Sequence, residues 1–154
     1  MIKLTQITQT DLGKYKSIFI EEEIIELTEN YKYPLDESKD KAIKEFDKCF
    51  PDEKTQKNEF LLSIKSDQFG SDKTLGYLWF SISDDYVFVL DFYIQTEFRS
   101  RGFDAQTMKK LQEICLEKSI NQLRLRVANN NPRALKLYQE LGFSITGTNL
   151  MKKF

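Results

Sequence analysis

The sequence predicts an α/β domain whose sheet is mostly antiparallel and gains a parallel pair late in the chain. Three observations predict it. A run of three strand-like segments fills the middle of the chain, and a strand–helix–strand–helix alternation follows. The third is size: 154 residues, 40% of them hydrophobic, suffice for one core, so residues 1–154 are expected to form a single domain.

Each element has its own signal. Ile2–Ile7 reads as a short strand on the spacing of Ile2, Leu4 and Ile7. Thr10-Asp11 supplies helix-start chemistry. From there Leu12, Tyr15, Ile18, Phe19, Ile25 and Leu27 predict a helix to about Asn30, and Tyr33-Pro34 interrupts it. Asp36 to Phe50 reads as a second helix, with Ala42, Ile43, Phe46 and Phe50 on one stripe, ended by Pro51. Glu59–Lys65, Leu75–Ser83 and Tyr86–Gln95 are strand-like, separated by Ser/Asp/Gly turn chemistry at 66–74 and 83–85, and so form an antiparallel meander. Ala105–Lys118 is helical by pattern. Gln122–Val127 alternates, with Leu123, Leu125 and Val127 opposite Arg124 and Arg126. Asn131–Leu141 is a helix, and Phe143–Leu150 is strand-like, broken at Gly147. Strand, helix, strand in this order implies a crossover and parallel neighbours.

Composition narrows the chemistry. There is no histidine and no CxxC, which removes His-based triads and the usual zinc sites. Cys49 and Cys115 are expected in the core of a cytoplasmic protein. No apolar run approaches the ~20 residues of a membrane span, and Met1–Asp11 has no apolar leader segment, so no membrane partner is expected. Charge is uneven. Residues 1–96 carry 12 Lys/Arg against 19 Asp/Glu, and residues 97–154 carry 11 against 5. An acidic front and a basic back suggest ligands of opposite sign. No nucleic acid is expected, since no recognised readout element is present.

Two segments concentrate the functional signal. In the first, Val89 to Asp104, a strand runs into a basic turn that opens a helix. Free N–H groups at a helix start, Gly102 for close backbone approach, and Arg99 and Arg101 for countercharge suit a phosphate or pyrophosphate. In the second, Val127 to Phe143, Asn131 is a good N-cap, Pro132 a good first residue and Gly142 a good helix stop. Asn131 and Tyr138 lie two turns apart and share a face.

Both segments resemble the GNAT family of N-acetyltransferases. The turn is similar to the family's pyrophosphate loop, Arg/Gln-x-x-Gly-x-Gly/Ala. Arg99 and Gly102 match it, while Asp104 stands where the family has Gly or Ala. Asn131-x-x-Ala134-x-x-x-Tyr138-x-x-x-Gly142-Phe143 resembles the late GNAT signature. The resemblance runs from end to end. The first half is also similar to a little-characterised bacterial subgroup with Leu-Pro-x-Gly-x-x-Thr-Pro-x-His and Gly-x-Leu-Trp stretches. Here these read Phe50-Pro51-Asp52-Glu53-Lys54-Thr55-Gln56-Lys57-Asn58 and Gly76-Tyr77-Leu78-Trp79, without the Pro and His after Thr55.

The resemblance implies a mixed sheet with its parallel pair at the cofactor cleft, flanked by about four helices. It implies acetyl-CoA as co-substrate, with its pantetheine arm on the strand at Phe92, Tyr93 and Ile94. Its pyrophosphate would lie on the turn at Arg99, Ser100, Arg101, Gly102, Phe103 and Asp104, with further contacts from Asn131 and Tyr138. Tyr138 would be the general acid for the departing thiolate; its reference pKa of about 10 lies above the ~8.5 of a thiol. With no histidine, the base must be a carboxylate or a water. Asp91 is one candidate. Glu26, with Glu22 on the same extension of the first helix's apolar stripe, is another, and both classes of acid could instead bind a cationic acceptor. The acceptor is a small-molecule amine or a peptide or protein amine, and the protein a monomer or homodimer. The second reading is a GNAT fold that binds acyl-CoA as a sensor or partner module, kept open by Asp104.

Overall fold

The computed structural model describes residues 1–70 and 73–154; Ser71 and Asp72 of the expected 66–74 turn lie outside them. The chain divides into two compact units, Met1–Ser17 with Asp47–Arg126, and Ile18–Phe46 with Val127–Phe154.

The first unit holds the whole sheet. Its strands are β1 (Ile2–Gln6), β2 (Glu59–Ser66), β3 (Thr74–Ile82), β4 (Val87–Ile94) and β5 (Leu123–Leu125), in the order β1-β2-β3-β4-β5. The first three pairings are antiparallel. The β4–β5 pairing is parallel, as the crossover required. One face is an apolar layer in which Ile2, Ile64, Leu78, Phe80, Val87, Val89 and Ile94 are all buried. The long helix after β5's partner strand, α3, spans Phe103–Glu117 and packs against β1 and β4, burying Phe103, Met108, Leu111 and Cys115. Gly76 is required where β3 meets the end of β4, because a Cβ there would lie 2.0 Å from the Tyr93 carbonyl oxygen.

Two helices, α1 (Gln9–Glu29) and α2 (Leu35–Cys49), precede β2. The start of α1 belongs to the first unit. Thr8, not Thr10 or Asp11, is its cap: Thr8 Oγ1 accepts from the Asp11 N–H at 3.1 Å. The expected Asp11 cap is therefore corrected, and its carboxylate turns inward. After α2, Glu53 takes the left-handed φ of 57° at the place where the bacterial pattern has Gly.

The second unit contains the rest of α1 and most of α2, with Phe19 edge-on to Phe46 at 5.3 Å, and α4 (Pro132–Glu140). Here one expectation fails. Phe143–Leu150 forms no strand. Phe143 is consumed by the end of α4: its N–H bonds the Tyr138 carbonyl at 2.9 Å while Gly142, at φ 95°, donates to Gln139 at 3.1 Å. This double bond pattern, with the Tyr138 and Phe143 rings 5.5 Å apart, is a Schellman stop. The residues after it, including Ile145 and Leu150, are exposed and pair with no strand. The sequence-predicted strand at Gln122–Val127 is likewise shortened to Leu123–Leu125. Among the described residues no helix is long and apolar enough to cross a membrane.

Candidate active site

The turn between β4 and α3 is built as an anion seat. A short helical turn at Thr96–Phe98 leads into Ser100 (φ 60°) and Gly102 (φ 79°), two left-handed residues that curl the backbone. Buried Phe98 and Phe103, with Phe69, pin the turn from below through ring contacts at 5.2, 6.0 and 6.5 Å. α3 starts on Gly102 with no side-chain cap. Among the described residues, the N–H groups of Arg101, Gly102, Phe103 and Asp104 have no intramolecular acceptor. The next one does: Asp104 Oδ1 accepts from the Ala105 N–H at 2.8 Å. Arg99 is braced by its Nε, which donates to the Ile94 carbonyl at 2.8 Å, and its guanidinium lies over the Tyr93 ring. Arg101 lies over Phe98. Neither arginine forms an ion pair among the described residues.

Beside this turn, β4 and β5 part company. β5 pairs only with Val87–Val89, and β4 continues through Leu90–Ile94 with no strand on that edge among the described residues. The separation coincides with a bulge. Trp79 pairs with Asp91 but Phe80 pairs with Val89, so Leu90 is an extra residue. Because neighbours on a strand point to opposite faces, the bulge takes Asp91 off the face of Val89 and puts it on that of Trp79. Simple alternation from Val87 and Val89 would have placed it on the apolar layer.

The face that Asp91 joins is a polar network under the first turns of α1. Tyr15, 1% exposed, donates its hydroxyl to Asp91 Oδ2 at 2.8 Å. Its ring is edge-on to Tyr77 at 5.4 Å and to Phe50 at 6.0 Å. Ser63 and Thr74 donate to Asp11 Oδ2 at 3.1 and 2.8 Å. The Tyr77 hydroxyl is buried with no partner among the described residues. Burial, with the neighbouring Asp11 and Tyr93, pushes that phenol up to about 12. Burial also pushes the Asp91 carboxyl up, opposed by the Tyr15 hydroxyl and the Phe92 N–H.

In the second unit, Asn131 caps α4 as its sequence foretold, Oδ1 accepting from the Ala134 N–H at 3.1 Å. Its amide nitrogen has no protein partner among the described residues. Tyr138 is buried. Glu22 is exposed and Glu26 half-buried on α1. Asn130 donates to Glu29 and accepts from Asn30, fastening the loop before α4 to the end of α1.

Of the residues singled out in the sequence, Arg99 to Asp104 lie together on the turn and Asp91 to Ile94 on the strand that feeds it. Asn131 and Tyr138 share α4, and Glu22 and Glu26 share α1. Three residues were missed: Tyr15, Asp11 and Asn130. Tyr15 reads as core and Asp11 as a cap, although their four-residue spacing on the inward stripe was available. Asn130 is one of three consecutive asparagines that pattern alone does not separate.

The sequence profile described as the acetyltransferase (GNAT) family matches residues 21–143. A thialysine N-epsilon-acetyltransferase of Bos taurus is 39% identical over 56 residues, which are 36% of this chain and 33% of that protein. The chain thus matches about a third of that relative's length. The structure of YycN from Bacillus subtilis superposes with a TM-score of 0.87 at 22% identity, covering 100% of this chain and 99% of that one. AAC(6')-Iy, solved with the bisubstrate analog CoA-S-monomethyl-acetylneamine, gives 0.59 at 17% identity over 100% of this chain and 98% of that one. These two likenesses establish the fold.

Proposed function

The chain belongs to the acetyltransferase (GNAT) family, and from that premise we propose that it is a single acetyltransferase domain over residues 1–154 that moves an acetyl group from acetyl-CoA to an amine by direct attack in a ternary complex. The observation that carries this reading is the start of α3, where four N–H groups with no acceptor among the described residues, the helix dipole and two arginines that form no ion pair among those residues meet on one turn. A pyrophosphate fits that donor set. Acetyl-CoA supplies the reactive thioester and the thiol leaving group; the chain's residues do the rest.

Arg99, Ser100, Arg101, Gly102, Phe103 and Asp104 form the seat for the pyrophosphate. The open edge of β4 at Phe92, Tyr93 and Ile94 offers backbone groups to the pantetheine amides, and N–H groups there steady the negative charge that develops on the acetyl oxygen. Asp91 takes the proton from the ammonium of the acceptor, so that nitrogen has a lone pair to attack with; burial makes its carboxyl a better base than an ordinary surface aspartate. Tyr138 gives its proton to the departing sulfur and is reprotonated by the second proton that the nitrogen loses as the amide forms, and Asn131 contacts the cofactor through its remaining amide nitrogen. Glu26, with Glu22, attracts a cationic acceptor. The acid excess of residues 1–96 and the thialysine relative support an amine that carries positive charge.

The test is turnover of acetyl-CoA against a panel of amines, small molecules and peptides, following free thiol. Release with a cationic amine is expected. A second reading, an acyl-CoA sensor, is favoured by the Asp104 carboxylate on the Ala105 N–H, where it occupies one donor of the anion seat. A thermal melt separates the outcomes. At about 100 times its dissociation constant, acetyl-CoA should add roughly 2.7 kcal/mol. A melt shift without turnover means the sensor; no shift means neither.

A further inference from the structure

We propose that Tyr15, on α1, is a positioning residue for proton removal, its hydroxyl fixing the Asp91 carboxylate in the orientation in which it receives the acceptor's proton. This rests on the reading of Asp91 as the base. Nothing in the sequence links the two, which are 76 residues apart.

The geometry leaves Tyr15 little freedom. Its ring is 1% exposed and wedged edge-on against Phe50 and Tyr77, so its hydroxyl cannot swing away from Asp91 Oδ2. A carboxylate has about four acceptor sites. The Tyr15 hydroxyl and the Phe92 N–H use part of them, and capacity for an ammonium proton remains.

The groups facing Asp91 are few. Tyr15 comes from α1. Trp79 lies opposite on β3 and sends its indole N–H to Glu59 of β2 at 3.2 Å. Tyr77 and Tyr93 form the next pair on the same face, two cross-strand pairs along, and Asp11 neighbours Tyr77. Among the described residues no cation pairs with Asp91. The Tyr15 hydroxyl and the Phe92 N–H are therefore what offsets burial of the charge. Losing the hydroxyl leaves a half-buried carboxylate with one donor fewer, which favours its protonated form. The base is active when ionised, so the acidic limb of the rate profile must move to higher pH.

Tyr15→Phe removes one oxygen and keeps the ring. Its kcat/KM for the amine should fall about tenfold on the acidic side of the profile, as expected for a lost hydrogen bond to a charged group. The acidic limb should move to higher pH and the KM for acetyl-CoA should stay put. Carbon-detected NMR titration of the Asp91 carboxyl, without substrate, should show the same upward movement. In the Asp91→Asn background, Tyr15→Phe should cost nothing further. An unmoved limb in an active Tyr15→Phe protein overturns the positioning role and leaves acetyl transfer standing. A carboxyl titration that moves under an unmoved limb overturns it too, by removing Asp91 as the base. Wild-type protein that releases no thiol with any amine overturns the proposal together with the function it rests on.

Discussion

The two helices that carry the family motifs begin in opposite ways. α4 starts on Asn131, whose side chain bonds the Ala134 N–H, continues through Pro132 with no N–H to satisfy, and ends in a full Schellman stop at Gly142 and Phe143. Every motif position there has a structural task. α3 starts on a left-handed glycine with no side-chain cap, and the N–H groups of Arg101 to Asp104 have no acceptor among the described residues. An asparagine cap is worth roughly a few tenths of a kcal/mol more than a glycine one, so α3 forgoes a little stability that α4 collects. The difference teaches where a ligand belongs. A helix that satisfies its own ends is being held, and a helix that leaves donors open toward solvent is placed to hold something else.

The largest expected effect would break this division. If Tyr138 is the acid as well as part of the α4 stop, Tyr138→Phe should lower kcat roughly 10²–10⁴-fold. The phenylalanine keeps the ring contact with Phe143, so the melting temperature and CoA affinity should hold. Steady-state kinetics with a melt decide it: unchanged kcat makes Tyr138 a packing residue alone.

A matched pair of substitutions sharpens the comparison. Gly102 (φ 79°) and Gly142 (φ 95°) both face open space, so an added Cβ meets only the left-handed backbone penalty. Gly102→Ala and Gly142→Ala should each cost about 1–2 kcal/mol of stability in a denaturant melt. Only Gly102→Ala should also weaken CoA. Equal effects on CoA would mean that the two turns are not functionally distinct.

The smallest effect concerns Asp104. Its carboxylate gains roughly 0.3–1 kcal/mol from the helix dipole. Against a phosphate charge about 4 Å away it loses about 1 kcal/mol in water and about 4 at an effective dielectric of 20. Repulsion exceeds attraction, and the side chain neither swings to solvent nor pairs with Arg99 or Arg101; it sits on the Ala105 N–H. Asp104→Ala should therefore tighten acetyl-CoA about tenfold by calorimetry, about 1.4 kcal/mol. Equal affinities would remove the argument that this carboxylate competes for the seat.

What the sequence made legible, and what it hid, follow one physical line. The meander, the crossover, the Gly102 turn and the Asn131 cap were readable because each is fixed by residues close together in the chain. Alternation gives strands, 3.6-residue spacing gives helices, and glycine gives left-handed turns. The face of Asp91 was not readable, because the Leu90 bulge shifts the alternation and only pairing with β3 reveals it. The Tyr15–Asp91 bond was hidden by chain separation. The expected strand at Phe143–Leu150 was lost to a local competitor, since Phe143 cannot both close α4 and open a ladder.

The central claim is that the open start of α3 receives the pyrophosphate, and amide chemical shifts read it most directly. CoA added to labelled wild-type protein should move the N–H signals of Arg101, Gly102, Phe103 and Asp104, while pantetheine, which lacks the pyrophosphate, should leave them in place. Hydrogen bonds to charged groups are worth about 1.5–3 kcal/mol each, so pantetheine should also bind about a hundredfold more weakly or worse. If these four signals stay still with CoA, or pantetheine binds as tightly, the seat is not where the pyrophosphate goes, and the account fails at its base.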